Sequence, residues 1–298
     1  ATYTSGKTAI VTSYTTSPAN GSTLNNIGTV TVTVSYTEGG VTKTASTTVT
    51  VSVKIVTWSG GTDAQITAMI QAADAGQINL TDYWTVGDER TVQLSAMAAT
   101  GVGESHAAQA VTLVLMDSTC TGFTRASATS GGKTKPSFIV GLKNSLAEAG
   151  CMNSTNINTN GWSGCARRTW CNDVFRAAIP STLRGIFKQF KWKQGKGGGS
   201  SSGLLETTDY FGLAPEKAVF GSVSYAQSDE AALYAQWKWY QTASNRIKKH
   251  GDTGSAGNWW ECSPSSGYSN YFCNVSSDGS ASYSYAAYAR GLAPFGCI

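Results

Sequence analysis

Charged side chains are scarce in this sequence, at 13% of residues, which is about half of the roughly 25% found in average globular proteins. Glycine, serine, threonine and asparagine take their place, while hydrophobic residues at 41% and aromatic residues at 10% are enough to fill a core. This composition is typical of β-rich, loop-rich proteins outside cells or on virions. It is unusual for cytosolic enzymes.

Positive charge is also too sparse to indicate a nucleic-acid partner. The formal net charge is +4, and the basic residues are concentrated mainly in two short stretches, 187–196 and 245–251. We interpret both stretches as solvated helix ends. No apolar run approaches the roughly 18 residues that a membrane-spanning helix needs, so no membrane insertion is predicted. The sequence has neither an initial Met nor a signal peptide and reads as a piece of a longer protein.

Residues that bind metals or carry out catalysis are few and poorly spaced. The chain has two histidines, His106 and His250, and its seven cysteines include no CxxC motif, which argues against a zinc site. No serine or cysteine stands at a recognisable spacing from His106. We therefore predict no metal, no cofactor and no enzymatic activity. Most of the cysteines are expected to be small buried side chains, with one or two disulfides left open.

Residues 1–53 differ in pattern from the rest of the chain. The stretch GTVTVTVSYTEGGVTKTASTTVTVSV (28–53) alternates β-branched and polar residues around a TEGG turn, which predicts an antiparallel hairpin with one buried face. The preceding TTSPANGST (15–23) is predicted to be a loop with Pro and Asn-Gly turn chemistry. These strands resemble the latter half of a bacterial immunoglobulin-like repeat, which implies an all-β spacer over residues 1–53.

From residue 54 onward, helical and strand patterns are mixed. The periodicity predicts helices over 62–76, 166–180 and 181–190, and strands over 85–97 and 108–117. Thr62 is the predicted N-cap of the first helix. A few helices among many short strands and long loops indicate the α+β class.

Four motifs in this part occur in a fixed order and indicate a family. They are GWSGCARRTWCNDVFRAAIP (161–180), NWWECSP (258–264), NYFCNV (270–275) and GLAPFGCI (291–298). Together they resemble a bacterial and phage C-type-lectin-like domain, of the formylglycine-generating-enzyme type, over residues 54–298. The sequence departs from that family at Cys262 and Ala293, where arginine is common. The resemblance implies an α+β, C-type lectin-like fold with loop-rich insertions.

A subset of that family is more similar still: the variable proteins of diversity-generating retroelements. In these proteins a reverse transcriptase mutates template adenines, so that Asn codons become NNC or NNT codons, which cannot encode Lys, Glu, Gln, Met or Trp. Residues 1–262 contain 45 residues of these five types, and residues 263–298 contain none. The resemblance therefore implies a variable region at about 261–292. Its fixed frame would be residues 272–275, Gly279, Ala281, Ala286 and Gly291.

The predicted ligand contacts lie before and between these frame residues. Tyrosine offers a large contact area with few rotatable bonds and a versatile hydroxyl, and small polar neighbours leave room for a partner. The predicted contacts are Ser265, Ser266, Tyr268, Asn270, Tyr271, Ser276, Asp278, Ser280, Ser282, Tyr283, Ser284, Tyr285, Ala287, Tyr288 and Arg290.

The resemblance implies a non-enzymatic, adhesin-like protein at the tip of a phage tail fibre or on a bacterial surface. Its partner would be a host-cell receptor or another macromolecular ligand, either protein or glycan. Two alternatives stay open. One is a structural fibre or capsid-decoration subunit, in which the C-terminal tyrosines form a homo-oligomer contact. The other is a copper-dependent oxidase of the formylglycine-generating type that uses cysteines among Cys262, Cys273 and Cys297.

Overall fold

The computed structural model describes residues 2–4, 8–10, 14–19, 28–103 and 105–298. The chain divides into two units, Ala1–Lys54 and Ile55–Ile298. In the described part of the first unit, two antiparallel sheets are present. The first sheet pairs β1 Thr2–Thr4 with β2 Thr8–Ile10. The second sheet consists of β3 Thr15–Ser17, β4 Gly28–Glu38 and β5 Val41–Val51, in that order.

The predicted hairpin is confirmed, because β4 and β5 pair along their full length with Glu38 opposite Val41. Gly39 and Gly40 form the turn with φ values of 58° and 79°. Two consecutive positive φ angles are characteristic of the tight turns that match strand twist, and glycine adopts them without strain. The TEGG stretch is therefore the turn that its sequence predicts.

The prediction that this hairpin has one buried face is wrong. None of residues 14–19 and 29–54 is buried, and β5 is exposed along nearly its whole length. Alternation buries one face only where a second layer packs on it, and no such layer covers the described residues. The segment 15–23 was predicted to be a loop, but it starts with β3. Its Asn20-Gly21 turn lies outside the described residues. Residues 5–7, 11–13 and 22–27 of the predicted spacer also lie outside them.

The described part of the second unit has thirteen strands. They are β6 Glu89–Leu94, β7 Gln109–Asp117, β8 Thr124–Arg125, β9 Ile139–Leu142, β10 Phe190–Gly195, β11 Leu204–Asp209, β12 Phe211–Gly212, β13 Lys248–Lys249, β14 Ala256–Gly257, β15 Trp259–Pro264, β16 Tyr271–Val275, β17 Ala281–Tyr285 and β18 Phe295–Cys297. All of their pairings are antiparallel. They form a five-stranded sheet, β12-β18-β9-β7-β6, two three-stranded sheets, β11-β10-β8 and β15-β16-β17, and the pair β13-β14.

Five short α-helices accompany these strands. They are α1 Asp63–Asp74, α2 Ala166–Trp170, α3 Arg176–Ala178, α4 Ser181–Arg184 and α5 Glu216–Phe220, with a π-helical segment, Cys171–Phe175, between α2 and α3. The helix predicted at 62–76 is confirmed, and Thr62 caps it through a reciprocal capping box with Gln65. The helix predicted at 181–190 is shorter than expected, because Phe190 begins β10. No helix in the described ranges is long and apolar enough to cross a bilayer.

The core of the second unit is built from aromatic side chains. The ring of Phe123 lies 5.6 Å from that of Phe190, 5.7 Å from that of Trp192 and 5.6 Å from that of Phe295, measured between centroids. Because these rings come from β10, β18 and the segment before β8, they join two of the sheets. Trp259 and Trp260 are fully buried.

The buried carboxylate of Asp209 connects the helices to β10 and β11. Trp162 and Trp192 donate their indole N–H groups to Oδ2 at 3.2 and 2.7 Å, and Arg168 Nε donates to Oδ1 at 2.7 Å. Asn172 in the π-helical segment also donates to Oδ1, at 3.1 Å. A buried carboxylate needs such donors, so Asp209 fixes the position of this helical region.

The prediction of a C-type lectin-like fold is wrong. The described residues form several small open sheets, strands predominate, and the longest helix has 12 residues. The motifs that carried the resemblance have a simpler physical explanation, since Trp170, Phe175 and Trp260 are buried side chains of the aromatic core. Large hydrophobic residues at these positions therefore report local packing and do not specify that fold.

Candidate functional site

The sheet β15-β16-β17 places several tyrosines on one surface. In the antiparallel pair of β16 and β17, Tyr271 stands opposite Tyr285 and Cys273 stands opposite Tyr283. Opposed side chains lie on the same side of a sheet, and successive residues alternate between its sides. Tyr271, Tyr283 and Tyr285 therefore share one surface. The intervening Ser284 points to the other side and is buried.

The tyrosine rings contact one another in a continuous series. Tyr271 lies at its centre, with its ring centroid 4.5 Å from that of Tyr285, 5.1 Å from that of Tyr283 and 5.3 Å from that of Tyr268. Tyr288 extends the series at 5.2 Å from Tyr285. These separations are in the range of favourable aromatic pairs, so the rings support one another.

Tyr225 joins the same series from a distant part of the sequence. Its ring centroid lies 5.0 Å from that of Tyr283. No periodicity marks Tyr225, which is why sequence reasoning missed it. We call the six residues Tyr225, Tyr268, Tyr271, Tyr283, Tyr285 and Tyr288 the tyrosine face. Four of them are substantially exposed, Tyr225 by 38%, Tyr268 by 51%, Tyr283 by 39% and Tyr288 by 49%, so a partner can reach the face.

The fully buried side chain of Asn158 holds the segment that carries Tyr268 and Tyr271. Its Nδ2 donates to the Tyr268 carbonyl at 2.8 Å and to the Tyr271 carbonyl at 2.7 Å, and its Oδ1 accepts from the Gly198 amide at 2.8 Å. The Asn158 amide also donates to the Ser269 carbonyl at 2.8 Å. One side chain therefore fixes the loop between β15 and β16. Asn158 was not among the predicted site residues.

The buried carboxylate of Glu216 fixes the loop that carries Tyr225. It accepts from the backbone amides of Ser224 and Tyr225 at 3.1 Å and of Ala226 at 2.7 Å. The Tyr225 carbonyl accepts from the Ser266 amide at 2.7 Å, which connects this loop to the β15-β16 loop. Tyr225 is thus held in register with the other tyrosines by backbone hydrogen bonds.

Two more buried carboxylates lie close to Glu216. The Ser263 hydroxyl accepts from the Glu216 amide at 3.0 Å and donates to Glu230 Oε2 at 2.5 Å, while Glu230 Oε1 accepts from the Gly195 amide at 2.7 Å. Glu261 is also fully buried, but its carboxylate accepts no hydrogen bond from any residue in the described ranges. Three carboxyl groups are therefore buried in one region. Those of Glu216 and Glu230 accept hydrogen bonds, whereas that of Glu261 accepts none from the described residues.

Burial raises the pKa of all three carboxyl groups, because a charged carboxylate is poorly stabilised away from water. The pKa of Glu230 rises to about 7, although hydrogen bonds from Ser263 and Gly195 oppose the shift. The pKa of Glu261 rises well above its ordinary value through burial and the neighbouring charges of Glu216 and Glu230. Burial and these neighbouring charges therefore favour the protonated form of Glu261.

The tyrosine face itself carries little charge. The hydrogen bond between Tyr271 and Tyr285, together with burial and the neighbouring phenols, raises the pKa of Tyr271 to about 12. Arg290 is a cation at the margin of the tyrosine face. Its Nε and Nη2 donate to the Ser284 hydroxyl at 3.2 and 3.1 Å, and its guanidinium carbon lies 5.6 Å from the ring centroid of Tyr288. The centre of the face is therefore neutral, with one positive charge beside it.

The structure places most of the predicted contact residues at the surface and two behind it. Those that are exposed or half-exposed are Ser266, Tyr268, Asn270, Tyr271, Ser276, Asp278, Ser280, Ser282, Tyr283, Tyr285, Ala287, Tyr288 and Arg290. Ser265 and Ser284 are buried, because the alternation along the strands and the bridge between Ala226 and Ser265 turn them inward. These two residues cannot contact a partner directly.

The predicted contacts do not all meet at one place. Ser276, Asp278 and Ser280 lie in the turn that joins β16 to β17, at the opposite end of the hairpin from Tyr271 and Tyr285. Asp278 Oδ1 accepts there from the Ser280 amide at 3.0 Å and the Ser280 hydroxyl at 2.6 Å. The tyrosine face is therefore a distinct part of the predicted variable region.

The cysteines do not form an evident metal centre. In the part of the chain that the structure describes, no group of three His, Cys, Asp or Glu side chains is placed to hold a metal ion. Cys262 and Cys273 lie near the buried glutamates, whereas Cys297 lies near Cys120. Burial raises the pKa of each of these thiols, which disfavours the thiolate that a copper site would use.

Comparison with known proteins identifies a family and no function. Residues 139–298 match a family described as a domain of unknown function (DUF6273). This range contains every strand of the β15-β16-β17 sheet and every residue of the tyrosine face. No curated protein and no solved structure matches the chain.

Replacing Asn158 should loosen the support of the tyrosine face. We expect Asn158→Ala to lower the free energy of unfolding by about 2–3 kcal/mol, because buried carbonyl and amide groups lose their partners. Asn158→Asp should be at least as harmful, since it replaces the donor to Tyr268 and Tyr271 by an acceptor. Denaturation is followed by tryptophan fluorescence. Asn79→Ala, at an exposed asparagine, is the control, and an equal loss in both alanine variants would contradict the assigned role.

The buried glutamates predict a pH dependence of stability. Because their folded-state pKa values are raised above the ordinary 4.5, their contribution to stability is complete below pH 4.5 and is lost as pH rises, through about pH 7 for Glu230. These carboxyl groups should therefore contribute a fall in stability from pH 5 to pH 8.

Glu261→Gln should reduce this fall, because the variant has no charge to bury. The free energy of unfolding is measured by denaturation at both pH values, using tryptophan fluorescence, which reports only on the second unit because every tryptophan lies there. Glu206→Gln, at an exposed position, should leave the fall unchanged. If Glu261→Gln also leaves it unchanged, Glu261 is not the group that titrates.

Proposed function

Because the chain belongs to the DUF6273 family, whose function is unknown, we propose a function from the site itself: the protein is a non-enzymatic, adhesin-like module that binds a macromolecular partner through the tyrosine face. The observation that carries the proposal is the continuous contact series of six tyrosines, four of them substantially exposed.

The physical character of the face supports binding to a large partner. Exposed aromatic clusters are uncommon on monomeric surfaces and are enriched where proteins associate. Each phenol combines a large apolar area with a hydroxyl, so the same surface can contact protein or glycan. The loops under Tyr225, Tyr268 and Tyr271 are fixed by buried hydrogen bonds. A fixed surface loses less conformational entropy when it binds.

We propose further that this face is diversified by a retroelement. The segment 263–298 lacks the five residue types that mutated Asn codons cannot encode. Within it, the predicted frame residues 272–275, Gly279, Ala286 and Gly291 are buried, whereas Ala281 is half-exposed. Most of the residues between them are exposed or half-exposed. Such an arrangement lets surface residues change while the packing behind them is kept.

The setting that suits such a module is the tip of a phage tail fibre or a bacterial surface, with a host-cell receptor, protein or glycan, as the partner. The first unit would act as a spacer of the immunoglobulin-like kind. Its exposed antiparallel strands and the low charge of the whole chain are compatible with that role.

A structural fibre or capsid-decoration subunit is the second candidate. The same exposed tyrosine series would serve as a contact between copies of the chain, because a neutral aromatic surface suits self-association as well as binding to another molecule. Loss of the tyrosines should weaken binding to a partner if the protein is adhesin-like. It should change the oligomeric state if the protein is a structural subunit.

The triple substitution Tyr283→Ser/Tyr285→Ser/Tyr288→Ser separates them. We expect binding of the labelled chain to a panel of bacterial cells and to a glycan microarray to weaken about tenfold or more, since central aromatic residues dominate interface energies. Sedimentation velocity should show an unchanged oligomeric state. Tyr83→Ser, at an exposed tyrosine outside the face, is the control. Loss of an oligomer that the wild type forms would favour the structural subunit.

A genomic comparison tests the diversification separately. A near-identical copy of the last 40 or so codons should occur nearby in the source genome, with Asn codons at exposed positions such as Tyr268, Tyr283 and Tyr288. Codons for the buried Phe272 and Ala286 should be the same in both copies. Copies of the gene that differ evenly along the whole chain would refute the proposal, while the binding experiment would still stand.

A further inference from the structure

A second concave surface of the second unit shares no residue with the tyrosine face. It is a cavity of about 590 Å³, within the range of small-molecule sites. Its walls come from the end of α1, the loop after β8, the start of α3, the end of α4 and the segment before β10. The side chains that the following steps use are Asp74, Arg125, Ser127, Arg176, Arg184 and Lys188.

The charges around this cavity are unbalanced. Four cations line it, whereas Asp74 is its single carboxylate. Arg125, which is nearly buried, donates from Nη2 to Asp74 Oδ1 at 2.8 Å, and Lys188 Nζ lies 3.9 Å from Asp74 Oδ2. One acid therefore already serves two cations. A concave surface lined mainly by one sign of charge concentrates counter-ions.

Arg176 has a charged group with no acceptor. Its guanidinium carbon lies 3.7 Å from the ring centroid of Tyr210, which holds the group in place. Its Nε is buried without a hydrogen-bond partner, and the side chain forms no ion pair with the residues that the structure describes. A stacked guanidinium whose donors are unused is preorganised to bind the oxygen atoms of an anion.

Arg184 adds a second guanidinium without a carboxylate. Its Nε and Nη2 donate to the carbonyls of Ile179 and Ala177, which fixes the side chain and leaves Nη1 for a ligand. The exposed Ser127 supplies a hydroxyl at the same cavity. Fixed cationic donors with a nearby hydroxyl are the groups that proteins use to bind oxyanions.

We propose that this cavity binds an oxyanion carried by a ligand, that is, a phosphate, sulfate or carboxylate group, with Arg176 as its principal contact. Arg184 and Lys188 complete the positive surface, while the ion pair between Arg125 and Asp74 holds the wall in position. The cavity lies outside the segment with restricted codon usage, so its ligand does not depend on the tyrosine face.

Isothermal titration of the full chain with inorganic phosphate, sulfate and acetate, at equal and low ionic strength in a chloride buffer, tests the proposal. At least one of the three should give saturable binding, and the anion that binds best identifies the oxyanion class. Arg176→Gln should raise its Kd about tenfold or more, because a charge-assisted bidentate contact is lost. The Arg176 side chain donates no hydrogen bond to the residues that the structure describes, so the variant is expected to fold.

Two further variants make the result specific. Arg176→Lys keeps the charge but not the planar pair of donors, and it should bind more weakly than the wild type and more tightly than Arg176→Gln. Lys191→Gln removes the same charge from an exposed position outside the cavity and should bind as the wild type does. The proposal is overturned if no anion binds saturably, or if Arg176→Gln and Lys191→Gln change the Kd equally.

Discussion

A short hydrogen bond inside the second unit, from the Ser263 hydroxyl to Glu230 at 2.5 Å, joins the first strand of the sheet that carries the tyrosine face to the buried carboxylates. Ser263 lies in β15 and also accepts from the amide of Glu216, whose carboxylate holds the Tyr225 loop. Glu230 in turn holds the end of β10 through Gly195. These contacts cross-link elements that are far apart in the sequence, and their burial makes each unpaired member costly.

The position of this network would let the surface vary, as proposed, while the fold stays stable. The tyrosines project from β16, β17 and two loops, whereas the groups that fix those loops are Asn158 and Glu216, both fully buried. Asn158 binds backbone carbonyls, and Glu216 binds backbone amides. Contacts to the backbone are independent of the side chain at the same residue, so a changed side chain at position 268 leaves the support unchanged.

The sequence contained the local features of the fold and little of its long-range order. The capped helix at Thr62 and the glycine turn of the first hairpin depend on neighbouring residues, so they could be predicted. Tyr271 and Tyr285 were both among the predicted contacts, but their pairing across β16 and β17 is known only from the strand register. Tyr225 could not be placed, because its contact with Tyr283 depends on a loop held by a buried carboxylate. The lectin-like fold was inferred from motifs whose large side chains only report burial. The inward direction of Ser284 could not be predicted either, because it depends on the register between the strands.

The two surfaces of the second unit have opposite physical characters, and this difference bears on how each would be used. The tyrosine face is largely neutral, so its contacts lose little strength as salt rises, whereas attraction into the arginine-lined cavity is screened over roughly 8–10 Å at physiological ionic strength. Arg176 and Arg184 precede the segment without Lys, Glu, Gln, Met and Trp. A retroelement that altered the tyrosines would leave these arginines in place. A fixed anion site on the same unit as a changeable aromatic surface would let one scaffold keep a constant ligand while its partner varies.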